Sequence, residues 1–229
     1  TKLSSPSLTS PADNSINQSL NPDFAWTSVS GASEYDFRIS TDETFSTEDY
    51  TTTVSSTTLS LSLFDLSYNT EYYWQVKAKD GSNESEWSGS YSLTTLLISP
   101  LLSTPADGSI NIAFSPSLSW NSSSGAATYE IEISEDSGFS TITETSDGLT
   151  GTSYDVTATL DAYTTYYWRV KAKNGSQESN WSEEWSFTTK LSSPSLTSPA
   201  DNSINQSLNP DFAWTSVGGA SEYDFRIST

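Results

Sequence analysis

The stretch that most constrains this chain is Thr70 to Gly81, TEYYWQVKAKDG, which returns as Thr164 to Gly175, TTYYWRVKAKNG. Read with a period of two, Tyr72, Trp74, Val76 and Ala78 share one face, while Tyr73, Gln75, Lys77 and Lys79 share the other. Successive side chains of a strand point to opposite sides of a sheet, so the pattern predicts a half-buried β-strand. The second copy predicts the same strand, with Tyr166, Trp168, Val170 and Ala172 inward.

The rest of the chain repeats around these strands. Leu3 to Thr41 recurs as Leu191 to Thr229, identical but for Ser30 against Gly218, at an offset of 188 residues. Halfway between lies a diverged copy at offset 94, in which Pro6, Pro11, Trp26, Gly31 and Tyr35 become Pro100, Pro105, Trp120, Gly125 and Tyr129. The period is therefore 94 residues and alternate repeats are nearly identical, an A-B-A-B array. The boundaries that follow are residues 1–2 as the end of a preceding repeat, full repeats at 3–96 and 97–190, and the N-terminal part of a third at 191–229. Half a repeat is expected to leave Phe212, Trp214, Phe225 and Ile227 unburied. Two explanations stay open: a window on a longer array, or completion by strands from another chain. The joints, Thr95 to Pro100 and Thr189 to Pro194, are short and contain proline, which predicts an end-to-end, semi-rigid rod.

Strands can be placed within one repeat. Leu8 and Thr9 open an edge strand that Pro11 ends, because proline cannot donate to a ladder. Phe24 and Trp26 face inward on the second strand, and Tyr35, Phe37 and Ile39 alternate on the third. Leu59, Leu61 and Leu63 form another inward row. Tyr91 and Leu93, or Trp185 and Phe187, close the repeat. Short strands separated by Pro, Gly, Asn-Gly and Asp-Gly turns, with no sustained helical period, predict an all-β chain of tandem seven-stranded, two-sheet sandwiches.

Both long strands are approached by the same spacing, Leu66-x-x-x-Thr70-x-Tyr72 and Leu160-x-x-x-Thr164-x-Tyr166. It matches a tyrosine corner, where a Tyr hydroxyl ties the strand to the loop before it. The order of features, an inward Trp on the second strand, then L-x-x-x-T-x-Y-Y-W-x-V-K-A, then E-W-S or N-W-S, resembles fibronectin type III domains. The Gly31-Ala-x-x-Tyr35 loop and the terminal W-S…F-T-T of Trp181 to Thr189 are similar to tandem copies in large repetitive bacterial surface proteins. The resemblance implies an immunoglobulin-like sandwich on a prokaryotic surface or outside the cell. It leaves the activity open, since such modules serve as spacers, adhesion modules and receptor ectodomains alike.

Chemistry is poorly supplied. The chain has no His and no Cys, so the usual general bases, thiolate nucleophiles and cysteine metal sites are missing. No catalytic, cofactor-binding or metal-ligating residue is assigned. A net charge of −20 repels phosphate backbones and anionic headgroups, which excludes nucleic acid as a partner. The longest aliphatic run, Leu96 to Ile98, is far too short for a membrane span. Acids bunch at Asp42, Glu43, Glu48 and Asp49, and again at Glu135 and Asp136, where structural calcium is the candidate metal against solvated loops. Asp13-Asn14 and Asp107-Gly108 read as turn formers. Tyr73, Tyr167, Trp87 and Trp181 could bind sugars; against that, Trp87 and Trp181 precede the last strand, where they cap a core edge or stack on the outward cations Lys77, Lys79, Arg169 and Lys171. The sequons at Asn83, Asn174 and Asn180 are explained by chance in a chain rich in Ser and Asn.

The expectation is a non-catalytic, structural segment of a long extracellular protein: a stalk, adhesin shaft or filament. Its partners are then other repeats of the same protein, including self-association into a filament. The alternatives are a glycan- or protein-binding module, or a spacer within a secreted polysaccharide-degrading enzyme.

Overall fold

A computed structural model describes residues 2–61 and 64–228. Leu63, the last member of one expected inward row, lies outside the described residues. Among the described residues every regular element is a strand, and no helix is long and apolar enough to cross a membrane. The chain packs as two compact units, residues 1–100 with 122–129 and 171–181, and residues 101–121 with 130–170 and 182–229.

In the first repeat the strands are β1 (Leu8–Ser10), β2 (Ser15–Gln18), β3 (Asp23–Trp26), β4 (Glu34–Ser40), β5 (Tyr50–Val54), β6 (Thr58–Ser60), β7 (Glu71–Asp80), β8 (Asn83–Glu84) and β9 (Tyr91–Thr95). One sheet has the order β1-β3-β6 and the other β2-β9-β7-β4-β5, with β8 extending the β7 ladder. These nine segments are seven strands, since the first and the last are each broken in two. The first strand pairs antiparallel with β3 as β1, ends at the cis bond before Pro11, and crosses to pair parallel with β9 as β2. The pleat buries the predicted rows: Phe24 and Trp26 on β3, Tyr35, Phe37 and Ile39 on β4, and Tyr72, Trp74, Val76 and Ala78 on β7. Leu61, Leu66 and Leu93 complete the core. Phe24, Phe37 and Trp74 meet edge-on or tilted at 4.8–6.1 Å between ring centroids, arrangements that suit the aromatic quadrupole.

The second repeat has the same plan: β10 (Leu102–Thr104), β11 (Ser109–Ile112), β12 (Ser117–Trp120), β13 (Thr128–Ser134), β14 (Ile142–Leu149), β15 (Ser153–Asp155), β16 (Thr165–Asn174), β17 (Gln177–Glu178) and β18 (Trp185–Thr189). Its sheets are β10-β12-β15 and β11-β18-β16-β13-β14, with β17 on β16. Leu118, Ile131, Trp168, Val170, Ala172 and Phe187 are fully buried.

Two tyrosines lock the loops of each repeat. Tyr72 Oη accepts from Ser67 N at 3.1 Å, and Tyr166 Oη from Asp161 N at 3.0 Å, so the tyrosine corner is present in both. The Tyr of the G-A-x-x-Y loop closes a second turn: Tyr35 Oη accepts from Val29 N and Tyr129 Oη from Ser123 N.

The third repeat starts the same way. β19 (Leu196–Ser198) pairs with β20 (Ala213–Trp214) in the register that β1 uses with β3, and Tyr223 Oη accepts from Val217 N at 2.7 Å. Phe212, Phe225 and Ile227 are exposed as expected, while Trp214 is half-buried, stacked on Phe225 at 5.9 Å.

Candidate functional site

The outer face of the five-stranded sheet gathers most of the residues singled out as chemical candidates. On β4 of the first repeat, Arg38 faces Gln75 of β7 in the ladder and donates to its Oε1 from Nε at 3.1 Å and Nη2 at 2.6 Å. Its Nη1 pairs with Glu48 at 3.1 Å. The guanidinium stacks on Phe45 at 4.2 Å and on Trp87 at 4.1 Å, and Lys77 Nζ lies 5.2 Å from the Trp87 ring centre. Hydrogen bonding to Glu84 holds the Lys77 ammonium above its ordinary pKa, outweighing its partial burial. Lys79 pairs with Asp36 at 3.5 Å.

The second repeat builds the same face with the charges moved. Position 132 on β13 carries Glu where β4 carries Arg38, and Arg169 on β16 stands where β7 has Gln75. Arg169 donates to Glu132 from Nε at 2.9 Å and Nη2 at 2.6 Å, and stacks on Phe139 at 4.0 Å. Lys171 Nζ sits 4.7 Å from the Trp181 ring centre. Lys77 and Lys171, two of the cations expected beside the tryptophans, are there, and so is Arg38, which no local spacing singled out. Trp87 and Trp181 are thus ring partners of cations, worth about 0.5–1 kcal/mol each at half-exposed sites. Tyr73 and Tyr167 lie on the same face, half-buried.

The acidic loops are turns. Asp42 accepts from Thr44 N at 2.9 Å, Thr44 Oγ1 at 2.8 Å, Ser46 N at 2.9 Å and the Ser46 hydroxyl. These bonds, the Ser46 hydroxyl foremost, hold its carboxyl far below the usual carboxylate range. Asp136 repeats the arrangement with Ser140 and Gly138 and is lowered in the same way. Both oxygens of each carboxylate serve the backbone of their own loop, and among the described residues no three acidic side chains are gathered where they could hold a metal ion. Asp13 and Asp107 do more than form turns: Asp13 Oδ1 accepts from Ser92 N and Asp107 Oδ1 from Ser186 N, so each carboxylate ties the turn to the last strand.

The E-W-S and N-W-S motifs have a backbone role. Between β8 and β9 the ladder is continued by serine hydroxyls: Ser85 Oγ accepts from Ala78 N at 2.9 Å and Ser88 Oγ from Val76 N at 3.1 Å. Ser179 and Ser182 do the same for Ala172 and Val170. All four serines are buried, so buried N–H groups are satisfied where the strand breaks. The hydroxyls of the Asn83 and Asn180 sequons are Ser85 and Ser182, and both are engaged in this way.

Glu144 on β14 was not visible as a site in the sequence. Its carboxylate accepts from Tyr154 Oη at 2.6 Å, Thr157 N at 2.9 Å, Thr157 Oγ1 at 2.5 Å and Ala158 N at 3.1 Å. Burial pushes its pKa up, but these donors outweigh it and the net shift is downward.

The sequence matches the family described as the Rha78A-like, N-terminal immunoglobulin domain, over residues 12–99 and again over 109–193. The chain belongs to this family. It carries two copies, and the common architecture is the immunoglobulin-like sandwich already described. The fold is also similar to chicken CNTN1 in a crystal structure of its FN1–FN3 domains, with a TM-score of 0.40 and 16% identity over 82% of this chain and 69% of that one. No curated protein sequence matches the chain.

Proposed function

We propose that these tandem sandwiches are a non-catalytic spacer within a secreted, carbohydrate-acting protein. The observation that carries this reading is the family match over both repeats, because the family is named for the N-terminal immunoglobulin domain of Rha78A-like proteins, which are of the rhamnosidase kind. The face on which a sugar-binding surface would be sought is consistent with a spacer, since Trp87 and Trp181 already stack on cations. An extracellular setting agrees with the acidic surface, which keeps a repetitive β-protein soluble. A structural shaft is the second reading, favoured by the near-identity of residues 3–41 and 191–229.

Affinity electrophoresis of the chain through rhamnose-containing polysaccharides tests the proposal. The expected result is unretarded migration. Retardation that is lost in Trp87→Ala or Trp181→Ala, with the fold kept, would make the segment a binding module instead. Electron microscopy separates the second reading: an ordered, laterally thickened fibre would mean that the repeats assemble, and single particles would leave the spacer standing.

A further inference from the structure

Each repeat divides into two halves that meet in the core, and both the size and the charge of the halves are matched within a repeat. In the first, the N-terminal half brings Phe24 and Phe37 and the C-terminal half brings Leu93. In the second, the N-terminal half brings the smaller Leu118 and Ile131 and the C-terminal half the larger Phe187. On the outer face the charge is matched in the same sense. Arg38 meets Gln75 in the first repeat, and Glu132 meets Arg169 in the second.

Crossing the halves breaks both matches at once. Residues 3–41 closed by residues 136–190 would add the Phe187 ring to a core that already holds Phe24 and Phe37, and would set Arg38 opposite Arg169. The reverse pairing would give a core with Leu118, Ile131 and Leu93 and so less side-chain volume than either native core, with Glu132 opposite Gln75 and no arginine. Overpacking, voids and like charges facing across a ladder are each unfavourable. Residues 191–229 carry the first kind of half: Phe212, Phe225 and Arg226 stand where Phe24, Phe37 and Arg38 stand. Phe212 and Phe225 are exposed there, beside a cavity of about 240 Å³ that Leu196, Trp214 and Tyr223 also line.

We infer that a face built from residues 3–41 or 191–229 takes the strands of residues 42–96 and rejects those of residues 136–190. The alternation of repeats then keeps adjacent sandwiches from exchanging halves, a known failure of tandem domains, and confines exchange to alternate ones.

The test adds two synthetic fragments, residues 42–96 and residues 136–190, separately to the full chain. Binding is read by fluorescence anisotropy and located by hydrogen exchange. The Ser30/Gly218 difference separates by mass the otherwise identical peptides of the first and third repeats. The expected result is at least about tenfold tighter binding of 42–96, with protection in the peptide that contains Gly218. Arg226→Glu should shift the preference toward 136–190, a reversal that hydrophobic stickiness alone would not produce. Equal affinities, no binding of either fragment, or an unchanged preference in Arg226→Glu would overturn the inference. A second measurement needs no fragment. Gln75→Arg in the intact chain should lower the Tm of the first repeat by roughly 5 °C, and adding Arg38→Glu should restore it. Additive losses in the pair would count against the charge match.

Discussion

The two complete repeats solve one packing problem with different parts. Both bury a Trp, a Val and an Ala in a row on the long strand, and both close it with a tyrosine corner. Around that frame the first repeat uses aromatic contact and the second uses hydrogen bonds. Tyr50 at the start of β5 stacks on Phe64 at 5.3 Å in the first, whereas Glu144 at the matching place collects four hydrogen bonds in the second. The frame defines the fold, and the surrounding pairs distinguish one sandwich from its neighbour.

The largest effect should come from the shared frame. Trp74→Ala and Trp168→Ala are each expected to destabilise their own repeat by about 3–5 kcal/mol, read as the shift of a denaturant midpoint. A much smaller loss in one repeat would show that the frame is not shared. Replacing Phe24 by Leu and Phe37 by Ile gives the first repeat the small half of the second, at an expected loss of about 2 kcal/mol. Adding Leu93→Phe should recover part of it, and a further loss would mean that the size match is not the relevant variable.

Glu144→Gln should weaken the second repeat by about 1 kcal/mol at neutral pH, through poorer acceptance of the four hydrogen bonds. The sign with pH follows from the lowered carboxyl. The stabilisation is present above its ordinary pKa of 4.5 and is lost as pH falls through the lower folded value. Acid titration of the variant should therefore show a shallower loss of stability below about pH 4.5 than the parent. The smallest effect belongs to the stacked tryptophans. Trp87→Ala and Trp181→Ala should each lower stability by about 1 kcal/mol, by thermal melting. A loss in Trp87→Ala that shrinks when Arg38 is already Ala would confirm stacking on Arg38 as one of its causes, beside Lys77.

The rows that alternate strictly were readable because burial on one face writes a period of two into the residues. Tyr72 to Ala78 and Tyr35 to Ile39 are in the core as their spacing predicts. β2 was missed for a physical reason. Ser15-Ile16-Asn17-Gln18 has no inward face, and Asn17 takes a φ of 57°, a left-handed conformation that Asn tolerates and that looks like a turn in sequence. β5 is a run of threonines with no alternation of chemistry. The cation face was half legible. Trp87 over Lys77 follows from the turn at Asp80-Gly81, which folds the chain back along the long strand, but Arg38 reaches Trp87 only through the register of β4 on β7, which no local pattern records. Glu144 was invisible for the same reason, since its donors lie ten to fourteen residues away.

The crossing of the first strand has a consequence for a chain under tension. β2 near the start of the repeat and β9 at its end run parallel, with Ser15 beside Leu93 and Gln18 beside Thr95. Pulling the two ends apart slides these strands past each other lengthwise, so their hydrogen bonds must fail together rather than one at a time. A sandwich tied this way should extend abruptly at one force, guarding its core until that latch gives.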